Sequence, residues 1–458
     1  MYRMTLKKTA LSLVLAVLIA ACAACKQTNY IPVDVPPSQA EQSTAEKVNG
    51  LVSGILSLKE NMDARSAAVA DDRFLHWVAD TYGSDALSSV ADSLESGRYT
   101  AEVWHTATGN TINVLYDIYT GAADKNSAGY RPDIKFMTAS SDSTVIRVTG
   151  DVSFADNWYI AKALDSRGNG LSGVMSDSVL DLLKSSDITL VNNEFTYSTR
   201  GKALSGKAFT FRADPSRVEL MKELGADIVS LANNHAYDFG PEAFSDTLDT
   251  LQKADLPYIG GGADISEAKK PFYFVVNGRK FAFTAATRAE KNVKTPQATD
   301  ETSGVMWTYE PEEYCEVIKQ AEEECDFNIA YVHWGAEGSH RIEEGLYEMG
   351  AAFIDSGADI VIGAHAHLLQ GIEFYGDVPI IYNLGNFLFN AKTMDTGILE
   401  LTVASDGTPS YRFIPGIQKD CFVDTVSGAE KDRVLEFMRS LSKGVSIDAD
   451  GVITKSVS

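Results

Sequence analysis

The chain has 458 residues, enough for about two to four domains, and its 45% hydrophobic and 10% aromatic content excludes a mostly disordered protein. Lysine and arginine number 40 against 63 acidic residues, and the resulting charge of −23 excludes nucleic acid as the main partner. An anionic substrate would need a bound cation to offset that field.

Residues 1–21 read as a secretory signal, with Arg3, Lys7 and Lys8 ahead of an apolar run too short for a membrane span. The run ends in Leu18-Ile19-Ala20-Ala21-Cys22, which resembles a lipobox. Cys22 is therefore the expected lipidation site, with Cys25 the weaker candidate. The protein is expected outside the cytoplasm, lipid-anchored to a bacterial cell membrane. Residues 22–42 are polar, contain Pro32, Pro36 and Pro37, and read as a tether.

Residues 43–121 read as a small helical domain. Val48, Leu51, Val52, Ile55 and Leu56 recur at helical spacing. His76 and His105 there have no ligand-like spacing and read as packing or surface residues. Residues 122–143, rich in Ser, Asp and Gly, read as a linker. From 144 to 415 strands alternate with helices. Strands are predicted at 145–149, 188–191, 228–232, 272–276, 280–285, 327–332, 360–363 and 380–382. Helices are predicted at 177–185, 217–224, 241–253, 311–324 and 343–356. Asn277-Gly278 signals a hairpin. Residues 416–458 read as a C-terminal extension with one helix, 429–442. Five cysteines are too few for a disulfide scaffold, and Cys315 and Cys325 are not expected to pair.

Polar residues sit just past the carboxyl ends of these strands: Asp151, Glu194, Asn234 with His235, His333, and His365 with His367. In an open α/β sheet such ends converge on one crevice. Carboxylates, an amide oxygen and imidazoles together suit zinc, manganese or iron. His365 and His367 alternate, so an extended segment would point both to one side. Trp334 reads as a pocket wall. Asn383 and Asn386 are read as positioning the histidine loop or ending a strand. Arg200, Lys202, Lys207, Arg288 and Lys291 read as solvated loop cations.

The ordered series Thr149-Gly150-Asp151-Val152, Asn193-Glu194, Ala232-Asn233-Asn234-His235, His333-Trp334-Gly335, Gly363 to His367 and Asn383 to Phe387 resembles the CapA-like family of poly-γ-glutamate capsule synthesis. That family is similar to the calcineurin-type metallophosphoesterases. The resemblance implies a four-layer α/β/β/α sandwich, a metallophosphoesterase fold holding one or two divalent ions. It also implies roles. Asp151 and His367 would bind the first ion, Glu194 would bridge, and Asn234, His333 and His365 would bind the second. His235 would be the catalytic non-ligand, and Asp238 and Glu337 would orient histidines. Ser153 stands where the phosphoesterases keep a histidine, so the first ion would have fewer protein ligands. His365-Ala366-His367 replaces a common His-Pro-His, and Asn193 replaces a leucine.

Three functions remain open on this reading. One is a metal-dependent hydrolase or transferase acting on poly-γ-glutamate or a related anionic envelope polymer, beside the capsule synthesis machinery. Another is an extracytoplasmic phosphoesterase. The third is a non-catalytic lipoprotein for capsule export or anchoring.

Overall fold

The computed structural model describes residues 39–62, 67, 70, 72–120, 133–137, 139, 141–277, 279–289 and 295–456. Cys22, Cys25, the signal and most of the tether lie outside these residues, as do Gly278 and Lys291. The chain divides into two compact units between Lys135 and Phe136. No described helix is long and apolar enough to cross a membrane.

The first unit is helical: Gln39–Ser57, Asp72–Tyr82, Ser84–Glu95, Glu102–Thr108 and Ile112–Thr120. Val48, Val52 and Ile55 share a helix face, and all three are buried. They join Phe74, Leu75, Leu87, Val90, Leu94 and Trp104 in one core. Removing each such side chain from water contributes about 1.5–3 kcal/mol. His76 is half-buried and its Nε2 lies 2.9 Å from Asn49 Oδ1; His105 is exposed.

The second unit is built on two large sheets. The seven-stranded sheet runs in the order Ile134–Met137, Phe272–Val276, Arg279–Thr287, Phe327–His333, Ile360–Ala364, Val378–Leu384, Leu369–Tyr375. Its four strands from Arg279–Thr287 to Val378–Leu384 are mutually parallel. The ten-stranded sheet centres on Met394–Val403, Thr144–Val152, Ile188–Asn193, Ile228–Ser230 and Tyr258–Ile259. The last four of these are parallel.

Apolar residues from both sheets, including Ile146, Leu190, Phe283, Ile329, Ile362 and Leu399, fill the space between them. Helices Asp177–Lys184, Val218–Leu224 and Gly240–Lys253 bury Val179, Leu183, Met221 and Phe244 on the outer face of the ten-stranded sheet. Helices Glu312–Glu324 and Leu346–Asp355 bury Tyr314, Ile318 and Phe353 on the outer face of the other. The result is the expected four-layer α/β/β/α order. Strands buried on both faces read as apolar runs rather than alternations, which is why they were visible in the sequence.

Three segments differ from the sequence reading. The expected linker contains the strand Ile134–Met137, an edge of the seven-stranded sheet. Polar neighbours hide so short a strand. The strand Pro409–Lys419 runs through position 415 without a break. Beyond it, Gly428–Leu441 buries Val434, Leu435 and Met438 in the core between the sheets, and two further strands extend the ten-stranded sheet. Residues 416–458 are therefore part of the sandwich. Cys315, Cys325 and Cys421 are free.

Candidate metal centre

The parallel strands of both sheets deliver their carboxyl ends to one place. Asp151 is the penultimate residue of the strand Thr144–Val152, and Glu194 directly follows Ile188–Asn193. Asn234 and His235 follow Ile228–Ser230, His333 ends Phe327–His333, and His365 and His367 follow Ile360–Ala364. Asp151, Glu194 and His333 are fully buried and each offers a ligand atom within 4.8 Å of the others.

The two carboxylates are held by a residue the sequence reading passed over. Asn192 Nδ2 donates to Asp151 Oδ1 at 2.8 Å and to Glu194 Oε2 at 3.1 Å. Its own carbonyl accepts from Asn233 Nδ2 at 3.0 Å. Asn233 also donates to the Asn193 carbonyl and accepts the His235 N–H at 3.0 Å, so one asparagine joins two strand-end loops. Asp151 Oδ2 and Glu194 Oε1 are left buried without a hydrogen bond. Facing them are imidazole nitrogens. His367 Nδ1 is 3.1 Å from Asp151 Oδ2, and His367 Nε2 is 3.7 Å from Glu194 Oε1. His333 Nε2 is 3.8 Å from Glu194 Oε1 and 2.8 Å from Asn234 Oδ1. The His365 ring centroid is 4.7 Å from that of His333, and its Nδ1 is buried without a partner.

His365 and His367 do not reach the centre as alternate residues of an extended segment. Both have left-handed backbone, with φ of 93° and 58°, in a bend after the strand. Non-glycine residues held there store about 1–3 kcal/mol each and tend to mark functional sites. The bend is braced by Gly338 N–H donating to the Ala366 carbonyl at 2.9 Å and by His367 Nδ1 lying 2.8 Å from Asn386 Oδ1. Asn383 accepts the Gly385 N–H at 2.8 Å and shapes the turn that presents Asn386.

Burial, then the neighbouring histidines, pushes His333 and His365 well below the usual imidazole range, so both are neutral donors. Burial and then the charge of Asp151 raise Glu194 well above the carboxylate range. Burial opposes charge on His367, but Glu194 and Asp151 outweigh it and raise it to about 10. The cluster thus retains a proton. Neutral imidazoles, two buried oxygens lacking hydrogen bonds and an amide oxygen form a donor set that fits a divalent cation. Ser153 is buried and its hydroxyl has no partner. A serine there leaves the Asp151 side with fewer strong ligands than the Glu194–His333 side.

His235 stands beside this set. Its Nδ1 is 2.7 Å from Asp238 Oδ2, which fixes the proton on that nitrogen. Asp238 also accepts from Phe211 N–H at 2.7 Å and from Lys207 Nζ at 2.8 Å. Lys207 further caps the Asn234 carbonyl, which also accepts from Thr295 Oγ1 at 2.7 Å. Lys207 is therefore a buried partner of the site, not a solvated loop cation; its side chain is 2% exposed. Arg200 does lie at the surface, paired with Asp246. Arg288 is mostly buried and pairs with Glu343 at 3.3 Å. Glu337 is exposed at the rim, 4.0 Å from His367 Nε2. Trp334 is not a pocket wall. It is fully buried, stacks on Phe353 and Tyr382, and donates to the Tyr382 carbonyl at 3.2 Å.

Sandwich and side-chain set together define a four-layer α/β/β/α protein with a candidate metal centre. The chain belongs to the family described as bacterial capsule synthesis protein PGA_cap, whose model matches residues 145–391. It is 29% identical over 298 residues to the PGA biosynthesis protein CapA of Bacillus subtilis, covering 63% of this chain and 75% of that one. It is 30% identical over 274 residues to the capsule biosynthesis protein CapA of Bacillus anthracis, covering 57% of this chain and 66% of that one. Among solved structures, a putative 5'-nucleotidase from Staphylococcus aureus aligns with a TM-score of 0.38 and 13% identity, over 65% of this chain and 58% of that one.

Proposed function

We propose that this protein is an extracytoplasmic, metal-dependent hydrolase or transferase acting on γ-glutamyl bonds of a capsule polymer. The observation that carries the reading is the convergence of Asp151 Oδ2 and Glu194 Oε1, both buried without hydrogen bonds, on His333 and His367, with His365 next to His333 and a separate His235–Asp238 pair alongside. A purely structural cluster has no need of that pair. The polymer is suggested by the names of the Bacillus relatives, which concern capsule and PGA biosynthesis.

Glu194 would lie between two positions. Asn234, His333 and His365 would serve one, and Asp151 and His367 the other. The bound group, one or two ions of manganese, zinc or iron, supplies Lewis acidity toward a carbonyl or phosphoryl oxygen. The chain's own residues do the rest. Asn192 holds both carboxylates so that their remaining oxygens face inward. His235 carries a proton on Nδ1, fixed by Asp238, so Nε2 is the nitrogen that takes a proton from the attacking water and then hands it to the departing amine. In hydrolysis, water oxygen bonds to the γ-carbonyl carbon, the C–N bond breaks, and the amine leaves protonated. Lys207 pairs with Asp238 at 2.8 Å and so holds that carboxylate in place beside His235. Cys22 would carry the lipid that keeps the protein at the membrane, near the synthesis machinery.

The test uses the full chain purified without chelator. Metals are counted by mass spectrometry, and poly-γ-glutamate cleavage is followed beside a generic phosphodiester. Bound metal and chelator-sensitive polymer cleavage are expected. Cleavage of the phosphodiester alone makes it a phosphoesterase. Metal without turnover of either assigns a binding or export role.

A further inference from the structure

A run of aromatic rings leads from the candidate centre to solvent. The Phe211 ring lies 4.4 Å from that of His235 and 5.5 Å from that of Phe389, which lies 4.6 Å from that of His367. From Phe211 the run continues to Trp158 at 4.8 Å. Trp158 touches Tyr159 at 4.8 Å and Phe209 at 5.5 Å. Phe211 and Phe389 are buried, but Tyr159 is 49% and Phe209 54% exposed. Four large hydrophobic side chains are exposed among the described residues, and these are two of them. They come from different parts of the chain, the start of the helix Tyr159–Arg167 and the loop before Arg212–Ala213. Exposed apolar surface gathered this way marks a contact site rather than scatter.

We infer that this strip holds the main-chain methylenes of the γ-glutamyl units flanking the reacting bond. The inference rests on the polymer reading above. A γ-linked repeat places two methylenes in the main chain and its carboxylate on a branch. The methylenes can lie on ring faces while the carboxylates stay in water. Continuity with His235 and His367 is what selects substrate over another occupant, because a chain leaving the centre along Phe211 reaches Trp158 and Phe209 next. On the loop that carries Phe209, Arg200 is committed to Asp246 and Lys207 to Asp238, and the exposed Lys202 is a solvated cation, a weak anchor for a polyanion. The protein carries a net charge of −23, so it repels the polymer at long range. Short-range apolar contact must therefore supply the affinity of this subsite. That has a salt signature: screening weakens the repulsion, so added salt leaves binding unchanged or tightens it.

The test is calorimetric binding of poly-γ-glutamate to the full chain and to the combined Phe209→Ala and Tyr159→Ala variant, with metal content measured on both. The two rings are exposed, so the variant is expected to keep its fold and metal. Its Kd is expected to rise roughly tenfold, the size of a modest aromatic anchor. Unaltered protein is expected to bind no less tightly as salt rises from about 0.05 to 0.3 M. An equal Kd for both proteins overturns the strip and leaves the polymer reading standing. No polymer binding by unaltered protein overturns both. Binding that weakens with salt assigns recognition to cations and overturns the inference. So does light scattering that finds a dimer for unaltered protein and a monomer for the variant, since a second copy would then cover the rings.

Discussion

Asn192 Nδ2 lies 2.8 Å from Asp151 Oδ1, joining neighbouring strands at the point where both leave the sheet. The same nitrogen reaches Glu194 Oε2, so its two hydrogens serve two carboxylates. This bond sets which oxygen of each acid is left for a cation.

Asn192→Ala is accordingly expected to keep the fold and lose metal affinity by about 10- to 100-fold, the usual effect of removing a group that orients ligands. Titration of manganese into metal-free protein reads this directly. Affinity within twofold of the unaltered protein would show that the carboxylates need no such anchor.

A different split is expected at His235. His235→Ala leaves every ligand candidate in place, so metal content should not change while turnover falls by about 10²- to 10⁴-fold, the range for loss of general acid catalysis. Asp238→Asn should give a smaller fall, since the amide cannot fix the Nδ1 proton or balance Lys207 as well. Metal content by mass spectrometry, set against cleavage rate, separates the two roles. Full activity in His235→Ala would remove the catalytic reading of that residue.

Retention of a proton by the metal-free centre sets its pH dependence. His367 is raised from 6.5 to about 10, and Glu194 is raised above 4.5. A base raised on folding stabilises the native state fully below 6.5 and stops doing so as pH passes its folded value. A carboxyl raised on folding works in the same sense, because the unfolded chain releases its proton first. Metal-free protein should therefore lose stability as pH rises from 6.5 toward 10. A cation must displace the retained proton, so its affinity should rise across the same window. Calorimetry in two buffers of different ionisation enthalpy counts the released protons. Zero release near neutral pH contradicts the arrangement.

How much of this was visible in the sequence depends on the kind of signal. Asp151, Glu194, Asn234, His235, His333, His365 and His367 were legible because each lies at or just past the end of an apolar strand, and strand ends in such sheets converge. Asn192 and Lys207 were not. Asn192 is one residue inside a strand, and nothing in its neighbours tells that its amide bridges two acids. Lys207 lies in a loop with Gly201 and Gly206, where composition suggests solvent, and only the fold brings Asp238 over it. The histidine pair sits in a bend and not in the extended segment expected, since both residues take left-handed backbone.

The approach of two strands at Gly150 yields the sharpest stability prediction. Asp151 N–H donates to the Gly385 carbonyl at 3.0 Å, and a Cβ on Gly150 would stand 2.0 Å from that same oxygen. The turn at Gly385 must move for any side chain to fit, and that turn presents Asn386, the partner of His367 Nδ1. Gly150→Ala should thus cost about 1–3 kcal/mol or more, as overpacking does, and weaken metal binding as well. Gly54→Ala is the control. It lies within the helix Gln39–Ser57 with nothing within 4 Å of its would-be Cβ. There the lost backbone freedom of the unfolded chain should stabilise by roughly 0.5–1 kcal/mol. Thermal melts with and without manganese read both. Gly150→Ala melting with the unaltered protein and binding metal equally well would mean that the two strands do not meet as described.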